Sequence, residues 1–151
     1  MNFMAEAVKE AYEGINNNEG GPFGTVVVRD EKIVGRGHNR VIKKHDPTCH
    51  GEVEAIRDAC QNLGTHDLTG CILYTTSEPC PMCLGAILWA NIDKVYFGCD
   101  RKDANEIGFR DEVFYDKFYN RTSPMPMEED GKEECKKLFE DYVKDTKNER
   151  Y

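Results

Sequence analysis

The chain has 151 residues, 39% of them apolar, and its 20 basic against 28 acidic residues leave a net charge of −8. That length suits one domain able to bury a core without disulfide help, and counting the 13 glycines raises the apolar share to about 48%, which excludes a disordered chain. The acidic balance disfavours a nucleic-acid partner, and the longest apolar run, Cys83 to Ala90, falls far short of the ~18 residues of a membrane span.

Phe3, Met4, Ala7, Val8, Ala11, Tyr12 and Ile15 recur at helical spacing and predict an opening amphipathic helix, stopped by Asn16-Asn17-Asn18 and Gly20-Gly21. Gly24 to Arg29 and Lys32 to Gly37 are β-rich runs parted by Asp30-Glu31, the pattern of a hairpin. Asn39 to Cys49 follows as a polar loop. From Gly51 the apolar positions suit a helix with Gly64 as its stop, Cys71 to Thr75 suits a buried strand, and Cys80 to Ala90 suits an apolar helix whose Pro81 is tolerated only in the first turn. Lys94 to Gly98 is the next strand; Asp111 to Tyr119 and Glu133 to Lys144 read as helices joined through Pro124 and Pro126.

Strands alternating with helices between residues 50 and 100 predict parallel pairing beside the antiparallel hairpin, hence an α/β sandwich on a mixed sheet. Seven cysteines is an odd number, and the N-terminus lacks a basic region followed by an apolar stretch. Both point to a reducing, cytoplasmic setting. Cys49, Cys60, Cys71, Cys99 and Cys135 are then expected to be small buried hydrophobes, and His38, His45 and His66, which show no ligand spacing, to lie on the surface or in loops.

Chemistry concentrates in His50-Gly51-Glu52 and Pro79-Cys80-Pro81-Met82-Cys83. Cys80 and Cys83 lie three apart at a helix start, so both sulfurs face one side, and the unpaired N–H groups and dipole there favour thiolate. His50, at the start of the preceding helix, can supply a third ligand. Three ligands leave zinc one reactive position, the mark of a catalytic site. Glu52 can then sit beside the bound water as a proton carrier without being a ligand. The rival is a closed structural site with Cys49, Cys71 or Cys99 as fourth ligand.

His-x-Glu followed by Pro-Cys-x-x-Cys is the signature of zinc-dependent nucleobase deaminases. At these residues, and at Asn39, Gly20-Gly21-Pro22-Phe23-Gly24 and Leu84 to Ala90, the chain resembles the cytidine deaminase-like superfamily, in particular its bacterial guanine-deaminase branch. The resemblance runs from about Phe3 to Tyr119; the family usually has Ala where Gly51 stands. It implies a three-layer α-β-α sandwich with a mixed five-stranded sheet, one Zn2+ per subunit on His50, Cys80 and Cys83, and Glu52 as the catalytic acid and base. It further implies substrate contacts from Asn39, Phe23, Gly51, Trp89, Asp111 and Tyr151, and a homodimer that exchanges C-terminal segments (120–151) about the Pro124 to Pro126 connector.

The implied reaction is hydrolytic deamination of guanine to xanthine and ammonia within a single domain, 1–151, acting on a small purine base and on neither nucleic acid nor membrane. Alternatives stay open at several points. Phe23 and Trp89 equally suit core aromatics, Asn39 suits a turn residue bonding its own backbone, and the tail suits packing on its own subunit. The rival functions are a tRNA adenosine deaminase, suggested by His45-Asp46-Pro47-Thr48, a nucleoside or triazine deaminase, and a non-catalytic zinc module.

Overall fold

A computed structural model describes residues 1–120, 125–144, 147 and 149–151. Helix α1 (Phe3–Asn16) starts at Asn2, whose side chain accepts the Ala5 N–H at 3.1 Å, and it buries Ala7, Ala11 and Gly14. Strands β1 (Gly24–Arg29) and β2 (Lys32–His38) form the expected hairpin, turned by Asp30 and Glu31 at φ +49° and +61°. A short α2 (Val41–Lys44) interrupts the expected loop. Then come α3 (Gly51–Leu63), β3 (Ile72–Ser77), α4 (Pro81–Trp89), β4 (Lys94–Cys99), α5 (Arg101–Glu106), α6 (Asp111–Tyr119) and α7 (Lys132–Lys144).

The sheet order is β2-β1-β3-β4, with β1 antiparallel to both neighbours and β3 parallel to β4. Alternation along β3 sends Leu73, Thr75 and Ser77 inward while Tyr74 stacks near Phe3 of α1, so α1 covers one face and α3 with α4 the other. Between the sheet and that second layer lies the main core of Val27, Ala55, Ala59, Leu73 and Ile87, closed by Leu68, Cys71 and Ala90. Glycine at position 37 lets α3 lie directly on β2, since a Cβ there would come within 2.4 Å of the Ala55 nitrogen.

The three layers and the mixed sheet agree with expectation, but the sheet has four strands among the described residues, not five. After β4 the chain turns helical at once: Asp100 accepts from the Asp103 N–H while Asp103 accepts from the Asp100 N–H, a reciprocal cap that starts α5. Two cysteine expectations also need correction. Cys49 and Cys71 are buried and Cys60 half-buried, but Cys99 lies on the sparsely covered β4 and Cys135 on α7, and both are exposed. Pro124 of the expected connector lies outside the described residues. None of the residues of α7 is buried, and no helix among the described residues is long and apolar enough to cross a membrane.

Candidate active site

His50 and Cys80 occupy equivalent places, the N-cap positions of α3 and α4, both in extended backbone conformation and neither capping its helix with its side chain. Ordinary caps turn their side chains onto the helix; these two are free to turn toward each other across the sheet edge. Pro81 opens α4 and Cys83 follows within its first turn. As a result His50 Nδ1 lies 3.6 Å from Cys80 Sγ and 3.5 Å from Cys83 Sγ, and the three atoms fall within 4.8 Å of one another. Tetrahedral zinc, with Zn–S of about 2.3 Å and Zn–N of about 2.0 Å, sets nitrogen and sulfur about 3.6 Å apart, so the donor set fits that ion.

The electrostatics suit a cation. Cys83 hydrogen-bonds to the Cys80 sulfur, and with His50 alongside this outweighs burial and pulls the Cys80 thiol down to about 4. The Cys83 thiol is pushed up by the same bond, by burial and by the nearby Glu52. His50 keeps its proton above the usual imidazole range because it faces the Cys80 sulfur. A divalent ion held by the three groups would replace those shared protons and relieve the competition among them. No further His, Cys, Asp or Glu joins the cluster among the described residues, so the expected structural rival with a fourth protein ligand finds no support in the geometry.

Glu52 lies in the first turn of α3, 5% exposed, and burial raises its pKa above the usual carboxylate range. Its Oε1 accepts the Thr75 hydroxyl at 2.7 Å, which acts in the opposite sense. Asn39, Phe23, His50, Glu52, Cys80 and Asp111 all line one cavity of about 870 Å³. Asn39 lines the cavity, and its Oδ1 accepts the Val41 N–H at 3.0 Å as a turn residue does. Phe23 packs edge-on against Phe109 at 4.7 Å. Asp111 is half-buried, and burial raises its pKa.

Gly51 is buried at the start of α3 and is not among the residues that line the cavity; a Cβ there would lie 3.1 Å from the Phe23 carbonyl oxygen. Trp89 and Tyr151 do not join the cavity. Trp89 is 66% exposed at the end of α4, and the exposed Tyr151 ring sits 5.9 Å from it and 5.9 Å from His66. The structure adds wall residues that have no site role in the sequence reading: Ser77 at the end of β3 and Glu78 after it, and Leu84, Leu88 and Phe114 from α4 and α6. Tyr115 ties α6 to the zinc-ligand loop by donating to the Pro79 carbonyl, and burial pushes its phenol up to about 12.

A charged network holds the substrate side of the cavity from behind. His38, expected on the surface, is 2% exposed, because at the end of β2 its ring is clasped by Glu10 on Nδ1 at 3.1 Å and by Glu19 on Nε2. Glu19 also accepts from Lys43 at 2.6 Å and Arg40 at 3.2 Å, which holds its carboxyl down at about 2. Its backbone carbonyl accepts the Ile42 and Lys43 N–H groups. Residues 19 and 38 to 43 are thereby locked into one unit that carries Asn39.

The chain belongs to the family described as the cytidine and deoxycytidylate deaminase zinc-binding region, whose model matches residues 1–99. It is 51% identical over 113 residues to a guanine deaminase of Bacillus subtilis (strain 168), covering 75% of this chain and 72% of that one. A solved structure of guanine deaminase from Bacillus subtilis superposes with a TM-score of 0.88 at 42% identity, covering 99% of this chain and 96% of that one. A tRNA-specific adenosine deaminase of Buchnera aphidicola is 34% identical over 142 residues, 94% of this chain and 92% of that one. The family confirms the resemblance read from the two motifs, and with it a zinc-dependent deaminase.

Proposed function

We propose that this protein hydrolyses guanine to xanthine and ammonia. The observation that carries the reading is the open triangle of His50, Cys80 and Cys83, spaced for tetrahedral zinc, with buried Glu52 beside it and Asn39 lining the same cavity. Similarity to guanine deaminases over nearly the whole folded chain supports the choice of base.

Zinc on those three residues would supply a water acidified to a pKa of about 7. Glu52 takes the proton from the attacking water and hands it to the ring nitrogen next to the amino-bearing carbon. It then takes the second proton, from the hydroxyl now on that carbon, and delivers it to the departing amine as the C–N bond breaks and the carbonyl forms, so a single carboxylate acts as base and afterwards as acid. Its place in the first turn of α3, buried and lining the cavity with His50 and Cys80, suits that double duty. Asn39 orients the base, Phe23 packs on the ring, and Asp111 accepts from a purine N–H.

The second reading, a tRNA adenosine deaminase, is favoured by similarity to enzymes of that name. A net charge of −8 weighs against an RNA substrate. Ammonia release from guanine, adenosine, cytidine and an anticodon stem-loop separates the readings: turnover of guanine alone supports the proposal, and turnover of the stem-loop alone overturns it.

We further infer a homodimer that exchanges its C-terminal segments within the single domain 1–151. Leu138, Phe139 and Val143 stand exposed on α7, and at the cavity mouth Leu84, Leu88, Phe114 and Phe118 are also exposed. Two unpartnered apolar faces on one chain cost more than monomeric proteins usually tolerate, and exchange covers both. Trp89 and Tyr151, outside the cavity of a single chain, would then reach a site from across the interface. The seven unpaired cysteines support a reducing cytoplasm. Replacing Phe139 with Asp tests the assembly: a shift from dimer to monomer mass supports it, and a wild-type monomer refutes it.

A further inference from the structure

We propose that Thr75 and Thr25 form a hydroxyl strut that fixes the Glu52 carboxylate, Thr75 being a positioning residue for the deamination; the inference rests on the reading of Glu52 given above. Thr25 and Thr75 are register partners in the antiparallel β1–β3 pair, on the face covered by α3, and both side chains are wholly buried. Thr25 Oγ1 donates to Thr75 Oγ1 at 3.0 Å, and Thr75 Oγ1 donates to Glu52 Oε1 at 2.7 Å.

A hydroxyl has one proton to give. Thr75 commits its proton to Glu52, and the proton from Thr25 fills the acceptor side of Thr75, so the row is polarised in one direction and ends on the carboxylate. The consequence is a fixed carboxylate between sheet and cavity. Its Oε1 is held at the sheet by the Thr75 hydroxyl, while its own backbone N–H and Cys83 are the other hydrogen-bond partners of this cavity-lining residue. Without the strut, this three-torsion side chain would keep only its own backbone N–H and Cys83 as hydrogen-bond partners, neither of them on the sheet. The strut also runs directly beneath the first residue of α3, since a Cβ at Gly51 would lie 3.2 Å from Thr25 Oγ1.

The site is built as a strut rather than as incidental packing. A threonine and a valine have nearly the same shape, so packing alone does not require two hydroxyls facing each other in a fully buried layer. A buried hydroxyl without a partner is costly, and here each has one. Thr75 places its Oγ1 on the only catalytic carboxylate of the proposed mechanism.

The test uses zinc-loaded full-length protein and four variants: Thr75→Val, Thr75→Ser, Thr25→Val and the double Thr25→Val/Thr75→Val. Thr75→Val is expected to keep one zinc per chain and a KM within about twofold, while kcat falls about 10- to 100-fold, the scale expected when a reacting group loses its orientation. Thr75→Ser restores kcat to within a few-fold, and Thr25→Val, acting at one remove, lowers it less than Thr75→Val does. Should Thr75→Val fold poorly because Thr25 loses its acceptor, the double variant, which leaves no orphaned hydroxyl, carries the same expectation.

A crystal structure of the zinc-loaded Thr75→Val or double variant gives a readout independent of turnover. Glu52 in a second orientation supports the strut, and Glu52 unmoved overturns it. Unchanged kcat in Thr75→Val, or a Thr75→Ser variant no better than Thr75→Val, overturns it as well. A wild-type protein inactive on guanine but active on another amine overturns only the choice of substrate, because the kcat comparison is then made on that amine.

Discussion

Glu19→Gln tests the network that carries Asn39. The Glu19 side chain is 8% exposed and accepts from Lys43, His38 and Arg40, which together hold its carboxyl at about 2 against an ordinary 4.5. At about 1.36 kcal/mol per tenfold that gap sets a ceiling of about 3.4 kcal/mol of folding stability. Lys43, which supplies the largest contribution, is itself 59% exposed and screened by water, so about 1–2 kcal/mol is the expected worth. Because the folded carboxyl is the more acidic one, this stability is complete above pH 4.5 and drains away as pH falls toward 2. Urea unfolding of wild type and Glu19→Gln at pH 7, 5, 4 and 3 should therefore show a gap of about 1–2 kcal/mol at neutral pH that narrows below 4.5. Taking the difference between the two proteins cancels acid effects on the zinc ligands, which both share. A gap that stays constant down to pH 3, or no gap at pH 7, would refute the reasoning.

Two further substitutions probe the metal centre and the core. Cys83→Ala leaves only His50 and Cys80 in the ligand triangle, so the purified protein should hold well under one zinc per chain by metal analysis. A chelator should then lower its Tm far less than that of wild type. Leu73→Ala opens a hole in the fully buried layer beside Val27, Ala55 and Ile87. Its expected cost is about 2–5 kcal/mol, read as a lower urea midpoint at unchanged slope, with the zinc content intact.

The motifs that open α3 and α4 are legible in the sequence because the chemistry and the local fold coincide there. Gly51 to Leu63 carries helical periodicity with a glycine stop, and Pro81 marks a first turn, so the residues alone place the ligands at helix starts. The hairpin and α6 are equally local. What stays hidden depends on contacts between distant segments. His38 looks like a surface residue until Glu10 and Glu19, 28 and 19 positions away, close on its ring. Thr75 looks like an ordinary strand threonine until the sheet pairs it with Thr25, 50 residues earlier, and α3 lowers Glu52 onto it. Alternation with Leu73 and Ser77 can place Thr75 on the α3 face, but not at that carboxylate. The fifth strand comes only from the resemblance and has no segment of its own in the sequence: the four β-rich runs read from the residues are the four strands of the sheet, and after β4 Asp100 and Asp103 cap a helix.

The most direct measurement is the spectrophotometric conversion of guanine to xanthine by wild type and Glu52→Gln, each with its zinc content determined on the same sample. The proposed mechanism requires both proteins to hold one zinc per chain and the variant to lose at least about 10²-fold in kcat, the general acid–base share of the catalysis. A Glu52→Gln protein that holds zinc and turns guanine over at the wild-type rate would contradict it.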